Sequence, residues 1–167
     1  LCVVYFYAGL AKINTDWLLR AMPLQIWLPS RYYLPLIGDL FQKEWVHYAM
    51  SWFGMLYDLS IPFLLLFKRT RVFGFVLVVI FHVLTRLLFP IGIFPYVMIC
   101  STLIFFGGGF HEKIISIFRR LFKINFINET RTLYWTPNVK NRLLATIFVV
   151  FFAFQFVVPF RYMLYPD

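Results

Sequence analysis

The chain lacks most of the features that mark familiar chemistry. It has only two cysteines, Cys2 and Cys100, and each lies inside an apolar run. Two thiols so placed give neither a disulfide framework nor the spacing of a metal site, and they read as core residues. No lysine followed by Ser or Thr comes after Gly107-Gly108-Gly109, so that run is a hinge at a helix end and not a phosphate loop. The sequence shows no Ser-His-Asp order, no metal cluster, no dinucleotide fingerprint and no internal repeat. Acidic residues are scarce, 7 Asp and Glu against 16 Lys and Arg, for a net charge of +9. Basic loops that set membrane topology explain that excess better than nucleic acid does, and no nucleic-acid partner is expected.

What the chain has in abundance is apolar surface. Of its 167 residues 62% are hydrophobic and 22 are phenylalanine, with a mean hydropathy of +0.77. Soluble domains sit at roughly 45–50% apolar, so the composition is that of a membrane protein. Four long apolar segments run over about Glu44–Phe67, Val72–Phe89, Ile91–Phe106 and Leu143–Phe160. About 20 residues cross a bilayer as a helix. The third segment is short and interrupted by Pro95, so a tilted or broken span is expected there. Leu1 opens inside a further apolar run, which reads as a truncated first span. The expected fold is an all-α integral membrane helical bundle of about five spans, forming one domain over residues 1–167 that is incomplete at both ends. Trp17 to Lys43 carries Trp27, Tyr32, Tyr33, Pro23, Pro29 and Pro35, a mixture suited to an interfacial segment.

Orientation follows from the basic residues. Lys68-Arg69-Thr70-Arg71 and the loop Gly107–Arg142, with Lys113, Arg119, Arg120, Lys123, Arg131, Lys140 and Arg142, hold ten of the sixteen Lys and Arg. Two spans separate these loops, so they share a side, and the positive-inside rule makes it the cytoplasm. Lys12 then faces outward: the periplasm for a bacterial inner membrane, the lumen for an endoplasmic reticulum membrane. Asn128-Glu129-Thr130 matches a glycosylation sequon but falls on the cytoplasmic side.

Ionisable residues inside membrane helices are costly, roughly 2.5–3.5 kcal/mol each at mid-membrane on insertion scales. Lys12 ends the apolar stretch from Leu1 to Ala11. It is either a boundary anchor whose ammonium reaches water or an amine kept for chemistry, since a lysine in its neutral form is a base. Asp16, four residues on, pairs with Lys12 if the helix continues; otherwise Asn14 and Asp16 cap the next helix. Asp58 is either a structural carboxylate bonded to a neighbouring helix or a proton acceptor or orienting group. His82 and Arg86 are four apart and share a helix face. His82 is either a satisfied core histidine or a ligand contact. It lies eight residues before Pro90, roughly 12 Å from that end of its helix. His47 and His111 stand near helix ends and read as interfacial.

Three stretches carry a resemblance. Tyr5-Phe6-Tyr7-Ala8-Gly9-Leu10-Ala11-Lys12-Ile13-Asn14-Thr15-Asp16-Trp17 resembles the signature of the vitamin K-dependent γ-glutamyl carboxylase family, whose membrane part belongs to the wider HTTM (horizontally transferred transmembrane) group. Leu56-Tyr57-Asp58-Leu59-Ser60 is similar to a family helix with an Asp-Leu-Ser step. Phe81-His82 and the run Phe89-Pro90-Ile91-Gly92-Ile93-Phe94-Pro95-Tyr96-Val97-Met98 are similar to the family's His helix and the turn after it. The Leu143–Phe160 helix matches the last span before the family's lumenal domain.

The resemblance implies an enzyme that oxidises vitamin K hydroquinone, or a related quinol, with O₂ to the epoxide. The base so formed takes a γ-proton from a protein glutamate, and the carbanion adds CO₂. By motif register Lys12 is the catalytic base that deprotonates the hydroquinone. The resemblance places His82 near the quinol and carries Tyr96 and Asp58 over more weakly; Arg86, on the face of His82, is taken with His82 and Tyr96 as cofactor-binding, and Asp58 and Asp16 as structural or orienting residues. It also implies a lipid bilayer, a lipophilic quinol and a glutamyl protein or peptide as partners, no metal, and a substrate domain after Asp167. The sequence departs from the vertebrate pattern at Ala11-Lys12, where two adjacent lysines stand in those enzymes, and at Thr85, Arg86 and Leu87, where polar residues follow the family histidine. The alternative is an HTTM-group membrane protein with a different quinone-linked or non-enzymatic role.

Overall fold

In a computed structural model, residues 1–35, 37–123 and 138–163 are described. The sequon Asn128-Glu129-Thr130 and Arg131 lie outside them. All regular structure among the described residues is helical. The chain divides into two compact units, residues 1–107 and 108–167.

The first unit begins with α1 (Cys2–Ala11). That helix stops at Lys12, and Asn14 starts the next one: its side chain accepts from the Trp17 N–H and caps α2 (Thr15–Leu18). Helix α3 (Met22–Trp27) opens with Pro23 in its first turn, where a missing N–H costs nothing. Two 3₁₀ turns, Pro29–Arg31 and Gly38–Gln42, complete the segment. The stretch read as interfacial is therefore a chain of short helices.

Then come α4 (Glu44–Leu66), α5 (Arg71–Leu88) and α6 (Phe94–Thr102). Pro62 lies inside α4. It withholds the N–H that would otherwise close on the carbonyl four residues back, at Asp58. Gly92, with φ +62°, makes the turn into α6 in a conformation that suits a residue without Cβ. Pro95 does not break a span here. It sits in the first turn of α6 and starts that helix. In the second unit, α7 (Gly108–Phe122) precedes α8 (Val139–Val157), which Asn138 caps.

Among the described residues three helices are long and apolar enough to cross a membrane, in the stretches Glu44–Leu66, Arg71–Leu88 and Val139–Phe160. The chain is a helical membrane protein. The other two expected spans are the ten residues of α1 and the nine of α6, the latter extended by a 3₁₀ turn over Leu103–Phe105.

Helix α1 runs antiparallel to α4. Contacts step down α4 as the chain advances: Cys2 lies by Pro62, a Cβ on Gly9 would meet Leu59, Lys12 meets Asp58, and Trp17 meets Ser51. Gly9 permits the close approach, because a Cβ there would stand 2.7 Å from the Leu59 side chain. One core cluster joins Tyr5, Tyr57, Ile61, Leu65, Val78 and Met98 from α1, α4, α5 and α6. A second joins Leu24, Leu28, Phe41, Val46 and Leu88, seating the short helices against the start of α4 and the end of α5. His47 belongs to that seat. It is buried, with Nε2 2.7 Å from the Phe41 carbonyl, and is not the interfacial residue its position suggested. Cys2 is half-buried and Cys100 exposed, so Cys100 is not a core thiol.

Candidate functional site: an ion-paired lysine on an apolar cavity

Lys12 follows the last turn of α1, and its side chain turns into the bundle. Its Nζ donates to Asp58 Oδ2 at 2.5 Å and to the Ala8 carbonyl at 3.2 Å. The lysine side chain is 21% exposed and the aspartate 6%, so the amine is not a boundary anchor reaching for water. Asp58 lies fourteen residues into α4 and eight from its end, roughly 21 Å and 12 Å along the axis. A carboxylate so deep in an apolar helix needs a cation beside it, because two charges removed from water are tolerated only as a pair.

Asp16 was to pair with Lys12 only if the helix continued, the alternative being that Asn14 and Asp16 cap the next helix, and Asn14 does cap α2. The helix does not continue from one to the other, and the i,i+4 geometry is never formed. Asp16 instead accepts from Arg20 at 3.2 Å in a pair exposed by 65% and 69%.

Trp17 is fixed beside the lysine by reciprocal bonds. Its indole Nε1 donates to the Ser51 carbonyl at 2.9 Å, and the Ser51 hydroxyl donates to the Trp17 carbonyl. Trp52 Nε1 adds a bond to the Leu18 carbonyl at 3.1 Å. The Lys12 ammonium stands 5.2 Å from the centre of the Trp17 ring, within cation–π range. No local sequence pattern announces Ser51 or this tryptophan anchor, since each contact joins residues 34 apart.

Lys12 and Trp17 line a cavity of about 1060 Å³. The rest of the wall is mainly apolar and comes from the short helices, the first half of α4 and the end of α5, with Leu24, Phe53, Phe81, Leu84 and Phe89 among its residues. Thr85, Ser30 and Arg31 add polar groups. Arg31 is held by the Leu88 carbonyl at 2.7 Å and the Tyr33 hydroxyl at 2.5 Å. Pockets for small molecules are typically about 300–1,000 Å³ and mostly apolar with a few placed polar groups. This cavity is at the upper end of that range.

His82 does not line the cavity. It is buried beside it and meets the Tyr5 hydroxyl through Nε2 at 2.8 Å. Tyr57 stacks on Phe81, with ring centres 3.9 Å apart, and meets Tyr5 edge-on. Among the described residues His82 Nδ1 has no hydrogen-bond partner, and the Tyr57 hydroxyl has none of good geometry. Buried polar atoms are rarely left so, and this cluster is a polar seam through the core. Arg86 and Tyr96 are exposed and absent from the cavity wall. Arg86 shares a helix with His82 but points elsewhere, and Tyr96 stands on the outer side of α6. The structure thus brings Lys12 and Asp58 together at the cavity, sets His82 behind it, and leaves Arg86, Tyr96 and Asp16 away from it.

Fold and site together define a helical membrane protein with a largely buried ion pair at the edge of a lipophilic chamber. The sequence profile of the HTTM domain matches residues 1–108, and the chain belongs to the HTTM domain family. The match ends beside the boundary between the two units. No solved structure matches the chain.

Proposed function

We propose that this chain is the membrane part of a vitamin K-dependent γ-glutamyl carboxylase-like enzyme, with Lys12 as the base that takes a proton from a bound quinol. The observation that carries this reading is the Lys12 amine, paired with Asp58, on the wall of a large apolar cavity. The wall fits a lipophilic quinol: Trp17, Phe53, Phe81 and Leu84 offer flat apolar surface, and Lys12 offers the polar contact. When bound, the quinol reacts with O₂ to supply the strong base that drives addition of CO₂ to a glutamyl γ-carbon.

In its neutral form Lys12 accepts the quinol proton, and the ammonium that results is held by Asp58, the Ala8 carbonyl and the face of Trp17. Asp58 acts by stabilising that ammonium and fixing its direction. The apolar walls keep water from competing for the base. His82 and Tyr5 support the wall from behind, in contact with Phe81 and Tyr57. The positive-inside rule sets Lys12 toward the periplasm of a bacterial inner membrane, or the lumen of the endoplasmic reticulum. The glutamyl substrate then arrives from that side.

One observation favours a second reading, an HTTM-family protein with a different quinone-linked or non-enzymatic role. The Lys12–Asp58 pair also serves as a purely structural clasp between α1 and α4. Epoxidation of vitamin K hydroquinone by the full-length protein in nanodiscs separates the two. Wild type should yield epoxide, Lys12→Ala none, and Asp58→Asn a strongly reduced rate. Equal rates for wild type and Lys12→Ala, or no epoxide from folded wild type, would overturn the carboxylase reading.

A further inference from the structure

Helix α7 lies in the stretch that the sequence pattern left as a basic cytoplasmic loop. Its fifteen residues, Gly108–Phe122, form a regular helix with no buried residue. At 3.6 residues per turn its side chains sort into two halves. Phe110, Ile114, Ile117, Phe118 and Leu121 fall on one side, flanked by Ile115 and Phe122, with His111 between Phe118 and Phe122. Lys113, Ser116, Arg119 and Arg120 fall on the other with Glu112, the one acidic residue of the helix, and Lys123 follows at its end. Ile117, Phe118, Leu121 and Phe122 are each more than half exposed.

A soluble surface does not carry such a face uncovered, and the charge on the opposite side says what covers it. Basic residues border the apolar half on both edges, Lys113 beside Ile117 and Arg119 beside Ile115. Long basic side chains in that place bury their stems and send their charges to phosphate level. The polar half is basic with one carboxylate, which complements an anionic surface. The membrane span α8 begins at Val139, so the chain after Phe122 tethers α7 within reach of a bilayer. A helix with strong segregation, low net hydrophobicity and a basic polar face lies in the plane of the interface.

We infer that α7 is an interfacial helix that binds the anionic headgroups of one membrane leaflet, with Ile114, Ile117, Phe118 and Leu121 sunk among the acyl chains. This does not rest on the carboxylase reading. The test uses the whole protein in a background with Cys2→Ser and Cys100→Ser, spin-labelled at single introduced cysteines. Labels at Ile117 and Leu121 should be reached by O₂ and shielded from a water-soluble nickel complex, and labels at Ser116 and Arg120 should show the reverse. That pattern should hold in nanodiscs of phosphatidylcholine with phosphatidylglycerol and weaken in phosphatidylcholine alone. The variant with Lys113→Gln, Arg120→Gln and Lys123→Gln should lose its preference for spin-labelled phosphatidylglycerol by at least about fivefold, since one basic residue near an anionic leaflet contributes about that factor. Apolar-face labels reached by neither probe would mean a protein surface covers α7. Labels reached by the nickel complex would mean it stands in water. The same immersion in both lipids would remove the anionic headgroup from the account. Any of these three results overturns the inference.

Discussion

Helix α4, in residues 1–107, buries ten residues, among them His47, Ser51 and Asp58, whereas α8, in residues 108–167, is nearly as long and buries none. Both are apolar enough to span a bilayer. They differ in what their polar groups face. Those of α4 are met by α1 and the short helices, through Lys12, Trp17 and the Phe41 carbonyl. The basic residues of α8, Lys140 and Arg142, sit in its first turn, and the rest of it is mostly apolar, rich in Phe and Val, with Thr146 and Gln155 as its polar members. Length and hydropathy make a span. Polar residues that meet partners tie helices together, and His47, Ser51 and Asp58 with their partners Phe41, Trp17 and Lys12 lie in the part that matches the HTTM family.

The hardest blow to that contrast should come from Asp58→Ala. It leaves the Lys12 ammonium without its counter-charge, a loss of about 3–5 kcal/mol where a buried pair is broken on one side. Unfolding in detergent should show it, and the double change Lys12→Met with Asp58→Leu should restore most of the stability. If Asp58→Ala cost no more than a change on α8, the bundle would not depend on its polar contacts. Gly9→Ala should come next, at about 1–3 kcal/mol, because its Cβ forces α1 off Leu59. Tyr5→Phe should follow at a comparable or smaller cost of about 1–3 kcal/mol, since His82 Nε2 then lacks its partner in the core. Its signature is a change at the His82 imidazole by NMR with the Lys12–Asp58 pair intact. The smallest effects should lie outside the bundle contacts. Asp16→Asn removes an exposed pair worth about 0.2–1 kcal/mol, and Phe152→Leu on α8 should stay within about 0.5 kcal/mol. A large loss from Phe152→Leu would reveal a protein partner along α8.

The spans Glu44–Leu66 and Arg71–Leu88 differ from the sequence reading by no more than a residue at either end, because long apolar runs and helix length constrain each other. Lys12 and Asp58 were legible as residues that needed a reason. That they are each other's reason was not, because they are 46 residues apart and meet only through the antiparallel packing of α1 on α4. Local spacing left two readings open, a pair with Asp16 or a cap by Asn14, and the cap is the one that forms. The exposure of Arg86, away from the cavity wall, was beyond the same limit. A shared face at i,i+4 says which side of α5 two residues favour, yet His82 is buried and Arg86 exposed. Helix α7 was legible and passed over: its apolar residues recur at helical spacing, but its charges made the stretch read as a loop.

Gly9 has a consequence beyond the space it leaves. It stands three residues before Lys12, and its neighbour across the gap, Leu59, adjoins Asp58. The fulcrum on which α1 rests and the clasp that closes it are one turn apart. A lever so short converts any separation at Gly9 into a separation of amine from carboxylate. Variation at this glycine is therefore felt first as electrostatics at the cavity wall, in a residue that carries no charge and touches no ligand.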